Sequence, residues 1–140
     1  MENIIVVGVD GSETADRAAA CAAQLAADTG ARLHIVTAFD ESTVEEVAIG
    51  SDRWVISSTD KALQTAESVG TRLRSITPEI TSTAAAGKPA DVLIEEAERS
   101  NAKLIVVGNR RMQGIGRILG SVASSVAHNA PCDVYIVKTT

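Results

Sequence analysis

The sequence predicts an α/β fold, a parallel five-stranded sheet with helices on both faces. Three observations lead there. Short, continuous, β-branched apolar runs recur along the chain, which is the pattern of strands buried on both faces. Between them, apolar residues recur at three- and four-residue spacing, which gathers them on one face of a helix. The two patterns alternate, and strands alternating with helices close into a parallel sheet through right-handed crossovers.

The first strand is Asn3 to Val9, with Ile4, Ile5, Val6 and Val7 in succession. Asp10-Gly11-Ser12 makes a turn, Ser12 is the candidate N-cap of the first helix, and Glu13 and Asp16 suit that helix's positive end. Ala18, Cys21, Ala22 and Leu25 share one face of the helix, and Gly30 ends it. Leu33 to Phe39 is the second strand. Residues 40–57 have no clear period and carry Gly50 and most of the acids, so they read as a long surface loop with at most a short turn of helix. Ala62, Ala66, Val69, Leu73 and Ile76 form the next helical stripe, capped by Ser58 or Thr59 and closed by Pro78. Glu79 to Ala86 is a third strand, more polar than the others, as at a sheet edge.

Gly87-Lys88-Pro89 opens the third helix, with Pro89 at its first position and Ala90, Leu93, Ile94 and Ala97 as its stripe. Leu104 to Val107 is the clearest buried strand. Residues 108–119 form a glycine- and arginine-rich loop. Ser121 caps the last helix, whose apolar face holds Val122, Val126 and Ala130. Pro131 stops it, and Val134 to Val137 is the fifth strand.

These elements fill one domain, residues 1–140. Hydrophobic residues are 45% of the chain but aromatics only 2%, so the core is built from Ala, Val, Ile and Leu. No apolar run approaches the ~18 residues of a membrane span. Met1-Glu2-Asn3 lacks the basic start of a secretory signal, and the chain reads as soluble and cytoplasmic. Cys21 and Cys132 fit neither a disulfide framework nor a metal pattern. A net charge of −5 weighs against non-specific binding to nucleic acid or anionic membrane. The charge is segregated, however. Six acids lie between Asp40 and Asp60, whereas Arg99 to Cys132 holds no acid and five bases: Arg99, Lys103, Arg110, Arg111 and Arg117.

In parallel sheets of this kind the ligand crevice lies beyond the C-terminal strand ends, where the strand order reverses. That selects residues 8–12, 37–40, 86–89 and 108–121. Gly108, Gly114, Gly116 and Gly120 let backbone N–H groups approach an anion, and the helix starting near Ser121 turns its positive end the same way. Arg110, Arg111, Arg117 and Lys88 can neutralise a polyphosphate. Gly-x-x-x-x-Gly-Lys-Ser/Thr is absent, which excludes a P-loop NTPase, and no Gly-x-Gly-x-x-Gly follows the first strand. Asp10, at the end of that strand, can accept from a base or ribose, hold a metal, or simply start the turn; its position favours binding. His34 and His128 have no fitting acid or nucleophile and read as structural. Ser121, Ser124 and Ser125 lack a visible base, which argues against a hydrolase triad. One Trp and one Tyr offer little for flavin stacking.

Val9-Asp10-Gly11-Ser12, Gly87-Lys88-Pro89-Ala90, Val106 to Arg110, Leu119 to Ala123 and Ala130 to Val134 together resemble the universal stress protein family over nearly the whole chain. The resemblance implies a Rossmann-like sheet of the adenine nucleotide alpha hydrolase type, commonly dimerising through its last strand. One branch of the family binds ATP with a Gly-x2-Gly-x9-Gly-Ser/Thr loop. Gly108 matches the first glycine and Gly120-Ser121 the final pair; Asp10 matches the acid at the adenosine end and Ala38 the backbone contact to adenine. Val9, Val107, Asn109, Arg110, Val122 and Ala123 line the same pocket in that branch. Arg111 occupies the second motif glycine, and the spacing from there to Gly120 is one residue short. Arg111 therefore either replaces a backbone phosphate contact or blocks the site, and Gly114 and Arg117 supply flexibility and charge nearby. The expected ligand is ATP, with or without Mg2+; AMP or cyclic AMP is the near alternative. The expected role is regulatory, as a homodimer, with at most slow ATP hydrolysis.

Overall fold

The computed structural model describes residues 3–40, 44–49, 52–109 and 120–138. The expected sheet is present. Strands β1 (Ile4–Gly8), β2 (Arg32–Phe39), β5 (Ile80–Ala86), β6 (Leu104–Asn109) and β7 (Asp133–Lys138) form one sheet in the order β5-β2-β1-β6-β7. Every pairing in it is parallel, for example Val7 opposite Ile35 on one side and Val106 on the other. The chain runs outward from β1 through β2 to β5, then crosses to β6 and β7. The order therefore reverses between β1 and β6, and the crevice opens there.

Helices α1 (Glu13–Thr29) and α2 (Ser58–Leu73) cover one face. Helices α3 (Pro89–Ser100) and α4 (Ser121–Asn129) cover the other. Alternation along the buried strands divides the core. Val7, Leu33, Ile35 and Val106 pack toward α1 and α2, while Val6, Val36, Ile105 and Val107 pack toward α3 and α4. The Ser12 hydroxyl accepts the Ala15 N–H at 3.2 Å, and Gly30 ends α1 at φ 73°, both as the sequence predicts. Ala18, Ala19, Ala22, Ala23 and Ala26 form the buried face of α1, whereas Cys21 is half-buried. In a helix with so many alanines, tertiary packing chooses among several equivalent stripes.

Four further expectations are corrected. Residues 40–57 are not a long loop, because β3 (Val44–Ile49) and β4 (Asp52–Ser57) pair antiparallel as a hairpin outside the main sheet. Two residues, Gly50-Ser51, separate these strands in sequence, a spacing that suits a tight hairpin. The adjacent acids Glu45 and Glu46 spoil the period-two signal that would have exposed it. Helix α2 begins at Ser58, so Ser58 and Thr59 are helical rather than its cap. It ends at Leu73, whose carbonyl accepts both the Ile76 and Thr77 N–H groups; this turn leaves Ile76 38% exposed and buries Thr77 instead. On α3 the buried positions include Val92, while Ile94 is half-buried.

Candidate functional site

A cavity of about 500 Å³ opens at the C-terminal ends of β1 and β6. That lies within the usual range for small-ligand pockets. Its floor is the ends of those strands, with Gly8, Val9, Val107 and Gly108. One wall is the start of α1, another the first turns of α3, and the third the start of α4. Gly108 sets how closely these parts meet: a Cβ there would stand 3.1 Å from the Thr14 carbonyl oxygen and 3.3 Å from the Ala18 Cβ.

The crevice has two chemically different ends. At the β1 end, Asp10 is exposed and its Oδ1 accepts the Ser12 N–H at 2.9 Å. The turn continues through Gly11 at φ 85°, a conformation that favours glycine. Asp10 therefore both starts the turn and lines the pocket, held by the turn it makes. Among the described residues it is the one ionisable side chain in the lining. At the α4 end, Ser121, Val122 and Ala123 are the first three helical residues and all line the cavity. Their N–H groups have no intrahelical acceptor and stand at the positive end of the helix, where an anion is stabilised.

Of the residues expected at the site, Val9, Asp10, Ala38, Val107, Gly108, Asn109, Gly120, Ser121, Val122 and Ala123 all line this one cavity. Arg110, Arg111, Gly114 and Arg117 lie outside the described residues. The N-cap of α4 is corrected from Ser121 to Gly120. Gly120 is extended at φ −63°, ψ 163°, and the buried Asn109 side chain takes its N–H, so the extended residue is fixed one place earlier.

Lys88 lines a second, more open hollow with Phe39, Asp40 and Gly87, joined to the first at Ala38 and Pro89. Lys88 is not itself in the lining of the first cavity but is next in sequence to Pro89, which is.

Thr14, Ala15, Val36, Val92 and Leu93 complete the lining and escaped the sequence reading. Alternation along β2 links Val36 to Ala38, a signal that was present. Val92 and Leu93 enter from the first turn of α3, which only the strand order brings over β1.

The remaining reactive groups stand apart. His34 Nε2 lies 3.1 Å from Glu96 Oε2, and Nδ1 lies 2.6 Å from Thr81 Oγ1. Burial, and then the nearby Arg99 charge, hold its pKa below the ordinary value. Burial pushes the Cys132 thiol up, with the Asp133 charge adding to it, which makes it a poor nucleophile.

Comparison with known proteins agrees with this fold. The Universal stress protein family model matches residues 1–138. Universal stress protein Rv1636 of Mycobacterium tuberculosis is 32% identical over 148 residues, covering 97% of this chain and 96% of its own. Among solved structures, a universal stress protein in complex with cAMP superposes with a TM-score of 0.76 at 31% identity, covering 99% of this chain and 98% of that one. The fold is also that of the Archaeoglobus fulgidus universal stress protein in complex with dAMP, at TM-score 0.72 and 24% identity, covering 99% and 98%. With the family model and the relatives matching the fold and the sequence over nearly the whole chain, the chain belongs to the universal stress protein family.

Proposed function

We propose that this stress protein binds an adenine nucleotide, ATP by preference, in the crevice between β1 and β6, and that it acts as a regulatory homodimer in the cytoplasm rather than as an enzyme. The observation that carries the reading is the two-ended pocket. A carboxylate suited to ribose hydroxyl donors stands at one end and a helix N-terminus suited to phosphate at the other. Between them, Val36, Ala38, Val92 and Leu93 offer apolar surface for a base. The cAMP held by the solved relative supports an adenine nucleotide as the ligand class.

The lining supplies no general base beside a nucleophile among the described residues, so any ATP turnover would be slow. Mg2+ would be held chiefly by the nucleotide's own phosphates, because no group of three His, Cys, Asp or Glu suited to a metal occurs among the described residues. No described helix is long and apolar enough to cross a membrane. Dimerisation would use β7, an edge strand with Tyr135 43% exposed.

Arg111 at a motif glycine favours a second reading, a family member that works through partners with the pocket filled. Mass spectrometry of the small molecules released by denaturing the purified protein, with titration of ATP, AMP and cyclic AMP, tests the first reading. An adenine nucleotide at near-stoichiometric yield, or micromolar ATP binding, is expected. Absence of both would overturn it. Arg111→Gly separates the readings by sign: it weakens ATP binding if the guanidinium clamps phosphate, and creates or strengthens it if the guanidinium fills the pocket.

A further inference from the structure

We propose that Asn109 is the positioning residue that builds the anion end of the crevice, acting through the N–H of Gly120 rather than by touching the ligand. The proposal rests on the nucleotide-binding reading and assigns that site its internal support. Asn109 ends β6 and is only 4% exposed. Its Oδ1 accepts the Gly120 N–H at 2.9 Å, tying the last residue of a strand to the N-cap of the next helix across eleven residues of chain.

Gly120 is matched to that contact. Its φ of −63° is open to any residue, so backbone conformation does not call for glycine. A Cβ there would stand 3.1 Å from Asn109 Oδ1, so any side chain at 120 would press on that oxygen and displace it by a few tenths of an ångström. The residue also brings no side chain of its own to cap α4. The helix start is held instead by the Asn109 bond and by the Gly120 carbonyl, which accepts the Ser124 N–H at 2.9 Å.

The bond decides which donors are left for a ligand. A helix start presents four N–H groups without intrahelical acceptors. Asn109 takes that of Gly120. Those of Ser121, Val122 and Ala123 stay at the cavity, on a helix end already anchored to the sheet. An anchored donor set loses less freedom when an anion binds than a frayed one. The amide oxygen is also a neutral acceptor. A carboxylate in its place would make the same bond but set a negative charge against a bound phosphate. A serine hydroxyl would be too short to span the gap.

The test uses Asn109→Ala, Asn109→Asp and Gly120→Ala in the full chain, with ATP and adenosine titrated by calorimetry and Gly120 amide exchange followed by nuclear magnetic resonance. Asn109→Ala should weaken ATP about three- to tenfold, the effect of one neutral hydrogen bond, and Gly120→Ala, which crowds that bond without removing donor or acceptor, measurably but by no more than this. Adenosine, which has no phosphate, should change by less than about twofold. The double variant should lose no more than the worse single one, because both changes act on the same contact. The Gly120 amide should exchange faster in Asn109→Ala and stay protected in Asn109→Asp, which keeps the acceptor oxygen.

Additive losses, an equal loss for adenosine, or unaltered Gly120 exchange in Asn109→Ala would overturn the proposal. Should Asn109→Ala fail to fold, Gly120→Ala, which removes no side chain, carries the binding test. Wild-type protein that binds neither ATP nor adenosine overturns the nucleotide reading itself. Wild-type protein that binds ATP, with both single variants binding equally well, overturns only the role of Asn109.

Discussion

Replacing Asp10 with alanine separates the two tasks the residue performs. In the fold, its Oδ1 accepts the Ser12 N–H at 2.9 Å in an exposed turn. Loss of one exposed hydrogen bond costs less than about 1 kcal/mol, since water takes over the freed N–H. A fall in Tm of no more than about 4 °C follows for a chain of this size. In the pocket, the same carboxylate would accept from a ribose hydroxyl, and a hydrogen bond to a charged acceptor is worth about 1.5–3 kcal/mol. Affinity for ATP should therefore drop roughly ten- to a hundredfold while the protein stays folded. Adenosine should lose the same factor, because the contact is to the sugar and not to the phosphates. Asp10→Asn keeps an acceptor for Ser12 and loses the charge. Charge-assisted bonds are about twice as strong as neutral ones, so this variant should fall between wild type and Asp10→Ala. Calorimetry with both ligands, beside thermal melting, reads all of these. Equal affinity of Asp10→Ala and wild type would remove Asp10 from the site. A loss confined to ATP would place it at the phosphate end and refute the orientation argued here.

Three further outcomes are expected. Gly108→Ala forces a Cβ to 3.1 Å from the Thr14 carbonyl oxygen, so overpacking should cost about 1–3 kcal/mol and weaken nucleotide binding; an unaltered melting curve would contradict the close packing of β6 on α1. His34 faces Glu96 and Arg99 from α3 and Thr81 from β5, and its folded-state pKa is held below the unfolded value by burial and by Arg99. Its contribution is therefore complete above about pH 6.5 and erodes as pH falls from there toward the folded pKa, because the unfolded chain then binds more protons. Chemical denaturation over that range should give a steeper pH slope for wild type than for His34→Gln, and equal slopes would refute the assignment. For the proposed dimer, Tyr135 is the better probe of β7: it is 43% exposed, whereas Ile136 is half-buried against the core facing α3 and α4, so Ile136→Asp would destabilise the fold as well as the edge. Tyr135→Glu should raise the dimer dissociation constant at least about tenfold by light scattering or sedimentation, since like charges facing across a two-fold interface cost several kcal/mol. A wild-type chain that is monomeric at micromolar concentration would dispose of the dimer.

The parts of the fold that were legible in the sequence are those whose physics is local. Val6, Val7, Ile105 and Val106 are buried on both sheet faces, and a continuous apolar run states that directly. Ser12, Gly30 and Pro89 mark helix ends through their own hydroxyl, φ or ring. What was misread depends on partners distant in sequence. The N-cap falls on Gly120 and not Ser121 because of a side chain eleven residues earlier. The buried face of α1 falls on Ala19 and Ala23, and not on Cys21, because several alanine stripes were equivalent until the sheet chose one. Lys88 lines the adjoining hollow rather than the main cavity, a division set by how α3 packs and not by its place after a strand. The site itself was readable because the rule that places it, the crevice beyond the strand ends, needs only the alternation of strands and helices.

The claim that nucleotide binds between β1 and β6 is tested most directly by titrating ATP into isotopically labelled protein and following its backbone amide resonances. Shifts should concentrate at Val9 and Asp10, at Ala38, at Val107 to Asn109 and at Gly120 to Ala123, the residues that line the cavity. His34, Glu96 and the outer face of β7 should hold still. Saturating shifts confined to positions outside this cavity and outside residues 110–119, or none at millimolar ATP, would contradict the account.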